Sequence, residues 1–121
     1  MGNTGKIKIG IVQFRADNDA PGENLEKITS YIESLVEENV DLVLLPEMFN
    51  SGYGTDEATI SNASEMQEET VEVLSALADY NDIAVVGGIV NKTNGGFFNS
   101  TVIMLPYLEP IYYNKTHLFR D

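Results

Sequence analysis

The sequence places two charged side chains close behind apolar, strand-like segments. Glu47 directly follows the apolar run 42–46, and Lys115 shortly follows the run 111–113. A carboxylate can transfer protons and an ammonium group can stabilise a developing negative charge, so both residue types suit a reaction centre. Open α/β sheets place such centres just beyond the carboxyl ends of their strands. The settings of Glu47 and Lys115 therefore make both residues worth examining for a chemical role.

The absence of cysteine limits the chemistry more than any residue that is present. The 121 residues contain no cysteine. This excludes a disulfide framework, a thiolate metal site and a thiol nucleophile within the sequence. We predict no metal site and no cofactor.

Composition and charge limit the classes of partner that this protein can have. Nineteen acids against seven bases give a net charge of −12, and thirteen of the acids lie in residues 28–91, which contain no Lys or Arg. Such a field repels phosphate backbones, so no nucleic-acid partner is expected, and a solvated acidic surface is the simpler interpretation. There is no apolar run of the roughly 18–20 residues that a membrane helix needs. We expect one domain over residues 1–121, no membrane association and a cytoplasmic location.

Apolar periodicity predicts alternating strands and helices in the first half. Residues 7–14 form a buried strand, 23–38 an amphipathic helix that ends at a left-handed Asn39, and 40–45 a second strand. A long loop over 47–63 follows, because no period is sustained there. The spacing of Ser64 and Gln67 predicts a capping box that starts a helix over 64–80.

The second half is predicted to be mostly strand. Residues 83–90 form a third strand, the glycine-containing turn 94–96 leads into an antiparallel strand at 97–105, and 111–113 form a short last strand. The fold class is therefore α/β in the order β-α-β-α-β-β-β, with the helices on one face of a mixed sheet. The strands are apolar on both faces, so the second face should also be covered, and these residues do not encode the cover.

Six segments, in this order, carry a resemblance to a known family. They are Ile9-Gly10-Ile11-Val12-Gln13, then 40–49 with its Leu44-Leu45-Pro46-Glu47-Met48-Phe49, Ser51-Gly52-Tyr53, Val86-Gly87-Gly88, Phe98-Asn99-Ser100 and Tyr113-Asn114-Lys115-Thr116-His117-Leu118-Phe119. On these residues the sequence resembles the nitrilase superfamily of carbon–nitrogen hydrolases. The resemblance covers nearly the whole sequence.

The resemblance implies a Glu-Lys-Cys mechanism that hydrolyses a small amide, nitrile or carbamoyl substrate without a metal. Glu47 would be the general base, and Lys115 would be the cation beside the oxyanion. Tyr53 and Phe49 would line a substrate pocket, although core packing is an equal alternative for both. His117 is more simply interpreted as a structural histidine.

The third catalytic residue of that family, a cysteine well downstream of the lysine, has no counterpart here. The sequence therefore resembles the amino-terminal half of a four-layer αββα sandwich, and alone we expect it to be inactive. We expect a homo-oligomer or a complementing half to cover the second sheet face. One alternative is a non-catalytic interaction subunit or a truncated hydrolase remnant. A phosphoacceptor domain fits poorly, because the third strand leads into a hairpin rather than ending at an acid.

Overall fold

The structure, a computed structural model, describes residues 5–17, 20–52, 57–93 and 96–118. Strands and helices alternate through the first half, and three strands complete the second. The elements are β1 (Ile9–Ile11), α1 (Pro21–Glu37), β2 (Leu42–Leu44), α2 (Glu57–Glu65), α3 (Gln67–Asn81), β3 (Ala84–Thr93), β4 (Gly96–Met104) and β5 (Ile111–Leu118). Apart from the extra helix α2, this is the predicted order.

The five strands form one mixed sheet whose spatial order, β1-β2-β3-β4-β5, follows the chain. β1 pairs with β2 and β2 with β3 in parallel, while β3, β4 and β5 pair antiparallel. The predicted hairpin after the third strand and the mixed character of the sheet are confirmed.

One face of the sheet carries the hydrophobic core. α3 packs against β3, β4 and α1, and apolar side chains of both long helices meet the strands there. The fully buried members of this core are Ile28 and Ile32 of α1, Leu74 and Ala78 of α3, Phe49, and Val43, Val85, Ile89 and Val102 of the sheet. The prediction that these two helices share one face is confirmed.

Local signals set the ends of the two long helices. Pro21 occupies the first turn of α1, where its missing N–H leaves no donor unused. The side chain of Asn24 holds the preceding segment by accepting from the Asp17 N–H at 2.9 Å and donating to the Asp17 carbonyl at 2.8 Å. Asn39, as predicted, is left-handed after α1, and Asp82 has the same conformation after α3. Within the described residues, none of the helices is long and apolar enough to cross a bilayer.

Two predictions about the second helix are wrong. Residues 57–63, predicted as loop, form most of α2 (Glu57–Glu65), and Ser64 lies inside that helix rather than capping the next one. α3 instead begins after Met66 without a side-chain cap. The weak pattern of α2 has a physical reason: few of its residues are apolar, and Ile60 and Ala63 are buried in a small separate cluster with Met48 and Val90. Contacts with residues distant in the sequence stabilise α2, and its own apolar periodicity is too weak to predict it.

Four strands differ in length from the prediction. β2 spans three residues rather than six, and β3 spans ten rather than eight. β1 spans three residues rather than eight, because it lies at the sheet edge and pairs with a β2 of equal length. β5 extends to Leu118, although the residues after 113 are polar. The backbone of β4 provides partners for this segment, so polarity does not end it.

The opposite face of the sheet, here called the open face, is apolar and exposed over much of its area, whereas Val90 on the same face is buried with residues of α2. The side chains of the open face alternate with those of the core face, and several are large: Ile9, Ile11, Ile111 and Tyr113 are 50–64% exposed. Leu42, Leu44, Val86 and Ile103 extend the same apolar surface and are partly exposed. An exposed apolar sheet face of this extent is typical of surfaces with a binding role.

Candidate active site

Backbone hydrogen bonds to β3 fix the segment that carries Glu47. The N–H of Leu45 donates to the Val86 carbonyl at 2.7 Å, and the N–H of Phe49 donates to the Gly88 carbonyl at 3.1 Å. Glu47 lies between these two ties, just past the carboxyl end of β2. Its backbone is therefore held by the neighbouring strand rather than by a free loop.

Two adjacent glycines let this segment pass close to the sheet. A Cβ on Gly88 would lie 2.9 Å from the Glu47 Cα, and a Cβ on Gly87 would lie 2.9 Å from the ring of Phe49. Neighbouring strand residues point to opposite faces, so Phe49 lies over the core face and Glu47 over the open face. The close backbone approach predicted for these glycines is present.

Lys115 begins an irregular stretch of β5. Asn114 pairs with Ser100 and Leu118 pairs with Phe98, so residues 115–117 lie opposite a single residue of β4. Such bulges occur beside active sites, where they redirect a side chain. Lys115 follows Asn114, whose side chain is directed to the core side, and therefore points to the open face.

Glu47 and Lys115 meet at the open face. The Lys115 Nζ donates to the Glu47 Oε1, which joins residues 68 positions apart in the sequence. Both side chains are about half exposed, at 44% for Lys115 and 50% for Glu47. An ion pair with this exposure contributes at most about 1 kcal/mol to stability. The pair therefore contributes little to the stability of the fold, but it places a base and a cation side by side.

The other two sequence-predicted site residues fare differently. Phe49 is fully buried in the core on the helix-covered face, against Gly87, so its position supports the core-packing alternative rather than a substrate pocket. The ring fills the space that a glycine leaves free. Tyr53 lies outside the described residues.

Sequence reasoning missed a shallow depression whose lining reaches Pro46, the residue before Glu47. It has a volume of about 780 Å³ and lies at the carboxyl ends of β1 and β2. Its lining residues run from Ile11 to Arg15 and from Leu44 to Pro46. Apolar strand residues gave no signal that they border a cavity. Across the described segments, no group of three or more His, Cys, Asp or Glu side chains is placed to hold a metal ion.

Comparison with known proteins identifies the class to which this fold and site belong. The family profile described as carbon–nitrogen hydrolase matches residues 8–121. The protein belongs to the carbon–nitrogen hydrolase family.

Individual relatives agree with this assignment. The chain is 30% identical to a nitrilase of Pyrococcus abyssi over 116 residues, which is 93% of this chain and 44% of the relative. It is 31% identical over 116 residues to an omega-amidase of Xenopus laevis, covering 94% of this chain and 41% of that protein.

A solved structure shows the same fold. A carbon–nitrogen hydrolase superfamily protein of Xanthomonas campestris, which carries an arsenic adduct in its active site, superposes with a TM-score of 0.80 at 31% identity. The superposition covers 93% of this chain and 42% of that one. The chain therefore spans less than half the length of the relatives it matches.

Proposed function

We propose that these residues supply the glutamate and lysine of a carbon–nitrogen hydrolase site, and that a cysteine from polypeptide outside them supplies the nucleophile. The observation that carries the proposal is the contact between Glu47 and Lys115 at the open face. An exposed pair contributes little to folding, so its placement at the carboxyl end of β2 is better explained by chemistry. The 121 residues themselves contain no thiol.

The proposed reaction cleaves a small amide in two steps. Glu47 takes the proton of the thiol, and the sulfur attacks the amide carbon to give a tetrahedral oxyanion beside the Lys115 ammonium. The proton passes from Glu47 to the departing nitrogen, and a thioester remains. Glu47 then takes a proton from water, the resulting hydroxide attacks the thioester, and the carboxylic acid and thiol are released. A nitrile would react through the corresponding thioimidate.

The open face indicates where the polypeptide that supplies the thiol would bind. Apolar side chains there are exposed in the same direction as Glu47 and Lys115. We propose that the polypeptide that supplies the thiol forms a second sheet on this face. This sheet would bury the apolar surface and would also exclude water from the site. Without that polypeptide, two copies of this chain associate through the same face.

The test restores the thiol and measures ammonia release from simple aliphatic amides. These residues are expressed with the segment that follows them in their own reading frame or, if that frame supplies no cysteine, with the carboxyl-terminal part of the Xanthomonas campestris relative. Glu47→Gln is expected to lower turnover by about 10²–10⁴-fold as a general base is lost. Lys115→Met should lower it by about 10²–10³-fold as the oxyanion loses its cation.

A matched control comes from a second exposed ion pair. Lys27 contacts Asp17 at 2.9 Å with similar exposure, 49% and 56%. Asp17→Asn removes an ion pair that includes neither Glu47 nor Lys115, so turnover should be unchanged. Full turnover in the Glu47→Gln and Lys115→Met variants would refute the proposal.

A second candidate is a non-catalytic interaction subunit, favoured by the absence of cysteine from the sequence. It would bind its partner through the open face without any amide hydrolysis. A stable complex that Ile11→Lys disrupts but that releases no ammonia, even with a thiol present, would favour this candidate. Ammonia release that depends on Glu47 would exclude it.

A further inference from the structure

A chain of side-chain hydrogen bonds ends at the residue before Lys115. Gln67, the first residue of α3, donates through Nε2 to the Asn91 Oδ1 on β3. Asn91 donates through Nδ2 to the Asn114 Oδ1 at 3.0 Å, and the Ser100 Oγ donates to the same oxygen. Ser100 is fully buried and Asn91 is 8% exposed. Four polar side chains thus connect a helix and three strands on the core side of the sheet.

The hydrophobic pattern of β5 does not by itself define how this strand is aligned. Tyr112 faces the core side and Tyr113 the open side, and they are 40% and 63% exposed. A shift by one residue would exchange two tyrosines, at little cost in buried apolar area. The same shift would move Lys115 to the core side, away from Glu47.

Regular pairing does not hold Lys115 either. After Asn114 the ladder is interrupted, and three residues of β5 lie opposite one residue of β4. The last firm attachment before Lys115 is therefore the Asn114 side chain with its two donors. Asn114 is anchored on the core side, and the adjacent Lys115 contacts Glu47 on the open face.

We propose that Asn114 is a positioning residue for Lys115. Held by Asn91 and Ser100, and through Asn91 by Gln67, it sets the alignment of β5 and so places the Lys115 ammonium against the Glu47 carboxylate. Any effect of this role on catalysis depends on the proposed function being correct. The placement itself can be measured without a thiol.

Carbodiimide cross-linking provides that measurement, because it joins a carboxylate to an amine in direct contact. The yield of the Glu47–Lys115 link is determined by peptide mass spectrometry, and the Asp17–Lys27 link in the same sample is the internal control. Asn114→Leu removes the accepting oxygen with little change in side-chain size. The Glu47–Lys115 yield should fall, because loss of a hydrogen bond lowers the ratio of correctly aligned to shifted β5 by about fivefold or more.

Asn114→Asp is the conservative rescue, since it keeps an oxygen that accepts from Asn91 and Ser100. It should retain most of the Glu47–Lys115 yield, whereas a loss of general stability would lower both links in both variants. If Asn114→Leu does not fold, Gln67→Met tests the far end of the chain of bonds and should reduce the yield by a smaller factor.

An unchanged Glu47–Lys115 yield in the folded Asn114→Leu or Gln67→Met protein would overturn the positioning role. Equal loss in Asn114→Asp and Asn114→Leu would do so as well. Neither result depends on amide hydrolysis, so failure here is distinct from failure of the ammonia-release test.

Discussion

The two faces of the sheet have similar side chains and opposite surroundings. On the core face, Val43, Val85 and Ile89 are fully buried under two helices. On the open face, Ile9 and Ile11 of the same sheet are 50% and 64% exposed. These residues therefore build one closed core and leave apolar side chains of the same sheet exposed on the other face. The candidate active site lies on the exposed face.

The sharpest test of this comparison shortens one isoleucine on each face. Ile89→Ala should lower the free energy of unfolding by about 2–5 kcal/mol, because it leaves a cavity in a closed core. At concentrations where the chain is monomeric, Ile11→Ala should change it by about 0.5 kcal/mol or less, because solvent already reaches that side chain. Urea unfolding of both variants provides the measurement. Equal losses would mean that the open face is covered even in the isolated chain.

A charge on the open face should weaken self-association. Ile11→Lys is expected to raise the dimer dissociation constant by about tenfold or more, since burial of one isoleucine contributes about 1.5–3 kcal/mol. Sedimentation at low micromolar concentration measures this change. Tyr80→Lys, at an 89% exposed position on α3, is the control and should have no effect. A monodisperse monomer of the unaltered chain at that concentration would contradict self-association.

Gly88→Ala should displace the backbone segment that carries Glu47 on the open face. The new Cβ would lie 2.9 Å from the Glu47 Cα, which is backbone and cannot turn aside. We expect a loss of about 1–3 kcal/mol in stability, as is typical of overpacking, and a lower Glu47–Lys115 cross-linking yield. At Gly22 a Cβ would meet only Met66 at 3.9 Å. Gly22→Ala should therefore leave stability unchanged or raise it slightly, and similar losses in both variants would contradict the strain at Gly88.

The smallest effect concerns Tyr112, at the margin of the covered face. Burial raises the pKa of the Tyr112 phenol, and a hydrogen bond with Gln67 partly opposes the change. A folded pKa above the unfolded value means that this contribution to stability is complete below about pH 10 and is lost as pH rises through the folded pKa. Tyr112→Phe should lose less stability between pH 9 and pH 11 than the parent chain. Parallel pH profiles in urea unfolding would show that the environment of Tyr112 does not affect its ionisation.

The covered face was more predictable than the open one. Buried strands and the periodic helix α1 follow from apolar spacing, because burial selects those residues directly. Helix α2 was missed because its apolar contacts are few and are made to distant residues. The extent of β5 was missed because backbone pairing, which the side chains do not record, continues through polar residues.

The candidate site was predictable only in part. Glu47 was indicated by its place after an apolar strand, and Lys115 mainly by family resemblance. The contact between them, and the amide chain from Gln67 to Asn114, depend on a sheet that brings separate parts of the sequence together. The alternation of side chains across β5 then decides that Asn114 faces the core and Lys115 the open side.

The order of the strands has a consequence for synthesis on the ribosome. Each strand pairs with the one translated before it, so the sheet can grow from one edge as the chain emerges. Glu47 is carried by an early part of the chain and Lys115 by β5, the fifth of the described strands. A nascent chain that stops before β5 therefore has its acid in place without its counter-ion, and the ion pair becomes a marker for the pairing of β5 with β4.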